Sequence, residues 1–134
     1  MEKLNSFQLN RQIDQLYSIF KESKNNNLDS YKFIKTFINS DEFKNKMLSY
    51  YSYPYWDNGA SYVLEDFLDK YKIVKGNTLT DMDLRCLARY IIYFIYKYNI
   101  SVSSINNNLS NIVSKIDTVD YYTPEELIKE YQMA

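Results

Sequence analysis

The 134-residue sequence contains no histidine, one cysteine, two glycines and two prolines. Without histidine it lacks the side chain that most often serves as general acid, general base or metal ligand near neutral pH. The single cysteine, Cys86, excludes an internal disulfide and a cysteine-based zinc site. Gly59 and Gly76 lie too far apart to form a glycine-rich phosphate-binding loop. We therefore predict a protein that is not an enzyme and uses no cofactor and no metal ion.

The sequence also lacks a long hydrophobic run. Its most apolar stretch, residues 90–96, is far shorter than the about 20 residues that a membrane-spanning helix needs. The N-terminal residues contain no apolar signal core. We expect a cytoplasmic protein that does not interact with the membrane. Cys86 lies within an apolar helical pattern, so we expect a buried and inert thiol.

The shortage of glycine and proline favours long helices, because a β-sandwich or barrel needs many more turn residues. Apolar residues make up 46% of the chain, and their spacing is helical nearly throughout. We predict an all-α fold, a single-domain bundle of about six or seven helices over residues 1–134. The central helix is expected near residues 80–98, where apolar side chains cover most of the helical circumference.

Capping patterns predict where these helices begin. Asn5 with Gln8, and Thr123 with Glu126, have the spacing of a capping box, and Pro124 suits the first position of the last helix. Further helix starts are expected at Asp29, Ser40 and Thr80, and Ser40 is followed by Asp41 and Glu42 as first-turn acids.

Two predictions concern how helices end. The helix that carries Val63 to Tyr71 is expected to fade near Gly76, which would supply a left-handed cap. Residues 102–116 show one apolar stripe and are predicted to form one helix.

Tyrosine is abundant, with fifteen residues. It offers flat, amphipathic contact area and loses little rotamer entropy on binding, which suits a protein interface. A second explanation is an A/T-rich gene, because the abundant Asn, Lys and Ile also have A/T-rich codons. The one local concentration spans residues 50–57 and includes Tyr53, Tyr55 and Trp56. These rings either form a binding hot spot on a loop or fold back as a small core between two helices.

The net charge of −1 is unevenly distributed. Residues 54–83 carry six acidic and three basic side chains, whereas residues 84–115 carry four basic and no acidic ones. Glu65 and Asp69 lie four residues apart on one helical face, with Asp66 beside them. This cluster indicates either a solvated acidic face or a docking surface for a basic partner. Paired carboxylates for acid–base catalysis are a minor alternative.

The helix start Leu-Thr-Asp-Met-Asp-Leu-Arg-Cys-Leu, residues 79–87, resembles helix starts in bacterial immunity proteins, notably those of contact-dependent growth inhibition systems. The chain is also similar to these proteins in its small size, slight acidity, A/T-biased composition and lack of catalytic residues. The resemblance implies a protein that binds one cognate toxin, often a nuclease, and blocks its active site or an essential surface. It assigns no individual residues.

We therefore predict that a protein partner, a cognate toxin domain, binds an acidic and aromatic surface. The predicted contact residues are Tyr53, Tyr55, Trp56, Asp57, Glu65, Asp66 and Asp69. Two other functions fit the composition: a phage-encoded inhibitor such as an anti-CRISPR protein, and a helical nucleic-acid-binding or regulatory module. The candidate region for nucleic acid contains Arg85, Arg89, Lys97 and Lys115, but the chain lacks the strongly basic character of nucleic-acid binders.

Overall fold

The computed structural model describes residues 4–48, 57–116 and 122–134. Within these ranges the chain forms eight helices and, apart from one isolated bridge, no β-structure, which confirms the all-α prediction. The helices are α1 (Ser6–Asn25), α2 (Ser30–Ile38), a π-helix (Glu42–Met47), α3 (Ala60–Leu68), α4 (Asp81–Tyr96), α5 (Val102–Asn107), α6 (Leu109–Ile116) and α7 (Pro124–Tyr131). None of them is long and apolar enough to cross a membrane.

Helix α4 lies at the centre of the fold, as its apolar circumference predicted. It packs most extensively against α1 and also contacts α5, α6 and α7. Its buried residues are Leu84, Leu87, Ala88, Tyr90, Ile91, Ile92, Phe94 and Ile95. Because apolar burial is the dominant favourable term in folding, α4 and α1 together form the centre of the core, and α2 and α3 pack against α1.

Four phenylalanine rings join α1, α2 and α3. The ring of Phe33 lies 5.4 Å from that of Phe67, 5.5 Å from that of Phe37 and 6.4 Å from that of Phe20, measured between centroids. All four rings are fully buried. Edge-to-face and offset-stacked pairs of this kind add to the stabilisation from area burial. The cluster therefore holds α3, with the predicted acidic residues, firmly against the core.

Four of the predicted helix caps are confirmed. The side chains of Asn5, Asp29, Thr80 and Thr123 each accept a hydrogen bond from a backbone N–H in the first turn that follows. Asn5 and Thr123 form complete capping boxes with Gln8 and Glu126, and Pro124 occupies the first turn of α7. At Ser40 the element that follows is a π-helix, and the N–H of Phe43 reaches the Ser40 hydroxyl only over 3.4 Å.

The prediction for Gly76 is wrong. Helix α3 already ends at Leu68, and Gly76 is not in the left-handed region; among the described glycines only Gly59 has a positive φ, of 91°. Instead, the Gly76 N–H donates to the carbonyl of Asn27 over 3.2 Å, and the Asp29 N–H donates to that of Val74 over 2.9 Å. The chain from Val74 to Gly76 therefore packs beside the start of α2, where a larger residue would not fit.

Residues 102–116 form two helices rather than one. Asn108 separates α5 from α6, and its side-chain amide donates to the carbonyl of Ser104 over 2.8 Å. The predicted apolar stripe is nevertheless intact, since Ile105, Leu109 and Ile112 are fully buried. The break arises because a short Asn side chain competes for the backbone groups that continue a helix.

Candidate functional site

The predicted contact residues fall into two groups. Tyr53, Tyr55 and Trp56 lie outside the described residues. The other four, Asp57, Glu65, Asp66 and Asp69, lie just before, within and just after α3. We call these four the acidic surface.

Helix α3 is amphipathic and presents its acidic residues away from the core. Val63, Leu64 and Phe67 are buried, whereas Glu65 and Asp69 are exposed. The acids sit at the C-terminal end of α3, whose last turn contains no basic residue and whose first turn contains no acidic one. This is the reverse of the arrangement that the helix macrodipole favours, because the C-terminus carries a partial negative charge. The charges of Glu65, Asp66 and Asp69 therefore interact unfavourably with the macrodipole of their own helix.

Arg11 and Lys46 form ion pairs with the acidic surface without neutralising it. The Arg11 guanidinium lies 3.5 Å from the Asp57 carboxylate, and both side chains are more than half exposed, so the pair contributes little. The Lys46 ammonium lies 3.9 Å from the Asp66 carboxylate. Within residues 4–48, 57–116 and 122–134, neither Glu65 nor Asp69 forms an ion pair. The surface thus remains net negative.

A buried carboxylate that sequence reasoning missed lies beside this surface. Glu42, the first residue of the π-helix, is fully buried. Its Oε1 accepts a hydrogen bond from the Lys70 ammonium over 2.6 Å, while its Oε2 has no hydrogen-bond partner among the described residues. The hydrogen bond to Glu42 raises the pKa of Lys70, and the nearby charges of Asp66 and Asp41 raise it further. The sequence indicated only a first-turn acid in a helix that begins after Ser40.

The π-helix that carries Glu42 is anchored by two other helices. The Gln12 side-chain amide on α1 donates to the carbonyl of Met47 over 3.1 Å, and the Tyr96 hydroxyl on α4 donates to that of Leu48 over 2.8 Å. The Leu48 N–H reaches back five residues to the carbonyl of Phe43. Such wide turns are rare and frequently occur at functional sites.

The basic region considered for nucleic acid is largely engaged within the protein. Arg85 lies 3.2 Å from the Asp14 carboxylate and its guanidinium lies 4.3 Å from the Tyr17 ring centroid. Lys97 lies 4.5 Å from the ring centroid of Tyr93. Similarly, Lys115 pairs with Glu130 over 3.3 Å and lies over the ring of Tyr122. These internal contacts reduce the positive charge that Arg85, Lys97 and Lys115 can offer to phosphate groups.

Cys86 is not fully buried, contrary to the prediction. It is half-buried and lines a groove of about 510 Å³ between α4 and the start of α7. Partial burial raises the pKa of its thiol, which keeps it protonated near neutral pH. Beside it, the Tyr90 hydroxyl donates to the carbonyl of Tyr122. Because a protonated thiol is a poor nucleophile and metal ligand, the groove shows no reactive group of this kind. Among the described residues, no cluster of three or more metal-ligating side chains occurs.

A smaller cleft was also missed. Lys32, Lys35 and Lys72 line a cleft of about 240 Å³ between α2 and the chain that follows α3. Lys72 lies forty positions after Lys32 in sequence, so only tertiary packing brings it close to the two lysines of α2. The described residues thus include a lysine-lined cleft as well as the acidic surface.

Comparisons with known proteins do not add to this description. No protein-family model matches the chain, and neither a curated protein nor a solved structure matches it. A functional conclusion therefore depends on the geometry of the chain itself.

Proposed function

We propose that the protein is an immunity or inhibitor protein that binds a cognate bacterial toxin of the nuclease type and neutralises it. In this proposal the acidic surface meets basic residues of the toxin, and Tyr53, Tyr55 and Trp56 pack against it. The observation that supports it is the acidic C-terminal end of α3, which opposes the macrodipole. Natural proteins break local stability rules mainly at functional sites.

The chemistry of the expected partner explains why such a surface is useful. An enzyme that acts on nucleic acid needs basic side chains to hold the phosphate backbone. An acidic inhibitor surface complements those side chains, speeds association and disfavours wrong partners. Glu65 and Asp69 are exposed and form no ion pair among the described residues, so they can meet basic groups without first breaking an internal contact.

Co-purification with the product of the gene directly upstream tests the proposal, because an immunity gene directly follows its toxin gene. We expect the two proteins to form a complex and the toxin to lose its activity in it. The triple variant Glu65→Lys, Asp66→Lys and Asp69→Lys should slow association at least about tenfold at low salt and much less at high salt. Unchanged association would contradict the assignment of this surface.

A matched control separates the acidic surface from net charge alone. The variant Asp14→Lys, Asp81→Lys and Glu130→Lys has the same net charge but changes residues on α1, α4 and α7. We expect it to associate nearly as fast as the natural chain. If the product of the upstream gene does not bind, capture of a CRISPR effector would instead indicate the phage-encoded inhibitor. Binding to nucleic acid in a gel shift at low salt would indicate the regulatory module.

A further inference from the structure

The hydrogen-bonding capacity of the Glu42 carboxylate is only partly used by the described residues. Glu42 is 0% exposed, yet its carboxylate has a single hydrogen-bond donor, the Lys70 ammonium, among the residues that the structure describes. Its second oxygen, Oε2, is buried and unpaired. Buried polar atoms are nearly always hydrogen-bonded, and a buried carboxylate has four lone-pair sites to satisfy. The described part of the chain therefore supplies no second donor to this carboxylate.

Lys70 is the present partner of Glu42 at this site. Its side chain is 49% exposed, so its flexible stem reaches Glu42 from the solvent side. Its ammonium group is a compact point charge that here donates to Oε1 alone. Moving Lys70 into solvent would increase the hydration of its ammonium group and would uncover the carboxylate beneath it.

The negative charges around Lys70 would also favour a positively charged side chain from a partner at this position. Asp66 and Asp41 both lie close enough to Lys70 to act on its charge, and Asp66 belongs to the acidic surface. Lys46, 3.9 Å from Asp66, is the other basic group of the cluster. Glu42 thus lies at the buried edge of the region where a basic partner is expected.

We propose that Glu42 is the binding site for an arginine side chain of the partner protein, which displaces Lys70. A guanidinium presents parallel N–H groups and pairs with both oxygens of a carboxylate, so it satisfies Oε1 and Oε2 together. Lys70 then turns into solvent, and the partner's arginine becomes a buried anchor of the complex. This inference rests on the proposed function, because it names the contact that holds the basic partner on the acidic surface.

Peptides test the site on the isolated protein. We expect acetyl-Gly-Arg-Gly-amide to bind Lys70→Ala at least tenfold more tightly than it binds the natural chain, because the competing ammonium is absent. The carbon-13 signal of the Glu42 carboxylate should shift on binding. Acetyl-Gly-Lys-Gly-amide should bind the same variant more weakly than the arginine peptide. Lys72→Ala, which removes an exposed lysine two residues away, should not change either affinity.

The double variant Lys70→Ala with Glu42→Gln tests whether the arginine peptide binds at the Glu42 carboxylate. It should lose the tenfold gain for the arginine peptide. Equal binding to the single and double variants, or a Glu42 signal that does not respond, would overturn the proposal and leave a merely structural ion pair. If Lys70→Ala does not fold, Lys70→Met replaces it with the same expectations, because its side chain fills a similar space and has no N–H group to compete for Glu42. The peptides contain no toxin, so a failed co-purification would overturn the proposed function without affecting this measurement.

Discussion

At Gly76 the chain passes so close to Asp29 that no side chain fits between them. A Cβ atom at this position would lie 2.6 Å from the Asp29 Oδ2 and 2.9 Å from its Cβ. Gly76→Ala should therefore lower the free energy of unfolding by about 1–3 kcal/mol, the usual cost of overpacking. Urea denaturation measures the loss.

The Asp29→Gly background tests this cause directly. It removes both clashing atoms, and glycine is tolerated at a helix N-cap at a cost of a few tenths of a kcal/mol relative to Asp. Gly76→Ala should cost markedly less in that background than in the natural chain. An equal cost in both would show that backbone conformation, rather than contact with Asp29, requires glycine.

Tyr98 controls the acidity of Glu125. The Tyr98 hydroxyl donates a hydrogen bond to the Glu125 carboxylate at the start of α7, which lowers the pKa of Glu125 and raises that of Tyr98. Tyr98→Phe should return the pKa of Glu125 towards its ordinary value, whereas Tyr17→Phe on α1 should not. Carbon-13 NMR titration of the carboxylate measures both.

The direction of the pKa shift of Glu125 determines how the hydrogen bond from Tyr98 makes stability depend on pH. Because the pKa of Glu125 is lower in the folded state, the hydrogen bond stabilises the fold above the ordinary carboxyl pKa and this contribution is lost as the pH falls through the lowered one. Tyr98→Phe should therefore weaken the dependence of stability on pH in the acidic range. An unchanged pKa of Glu125 would contradict the assigned hydrogen bond.

Among the elements, α4 depends on a single local cap. The Thr80 hydroxyl accepts a hydrogen bond from the Asp83 N–H over 3.1 Å, at the start of the helix that contributes eight buried residues to the core. Thr80→Ala should reduce the free energy of unfolding by about 1 kcal/mol, within the range of about 0.5–2 kcal/mol known for such caps. Thr78→Ala, an exposed site two residues earlier, should change it by less than about 0.5 kcal/mol in urea denaturation. Equal losses would show that the cap is not the cause.

Helix starts could be predicted from the sequence because they depend on residues three positions apart. The caps at Asn5, Asp29, Thr80 and Thr123 are of this kind. The π-helix could not be predicted, since Phe43 and Met47 are four residues apart and bury equally well in an α-helical pattern. Its wider turns are stabilised by contacts from α1 and α4, which are distant in sequence.

For the whole molecule, sequence reasoning was sufficient for the fold class and insufficient for the site. A shortage of turn residues and helical apolar spacing indicated an all-α bundle. The position of Glu65 and Asp69 on one exposed face followed from their spacing of four residues. The full burial of Glu42 and the partial burial of Cys86 could not follow, because both depend on which helices pack over them. Tertiary packing alone decides such properties.

Asp69 links the stability of the molecule to its proposed binding role. It caps the C-terminal end of α3, where the macrodipole disfavours a negative charge. Asp69→Asn should therefore raise the free energy of unfolding by about 0.3–1 kcal/mol at low ionic strength. The same change should weaken binding to a basic partner, because one charge of the acidic surface is lost.

Asp83→Asn is the matched control for this trade-off, because Asp83 lies in the first turn of α4, where the macrodipole favours a negative charge. Its neutralisation should lower the free energy of unfolding and leave partner binding nearly unchanged. Chemical denaturation and association rates, measured for both variants at low and high salt, separate the two effects. If Asp69→Asn stabilised the protein without weakening binding, Asp69 would be an ordinary solvated acid rather than part of a binding surface. A higher free energy of unfolding together with weaker partner binding in Asp69→Asn is expected only if the Asp69 charge destabilises the fold and contributes to binding.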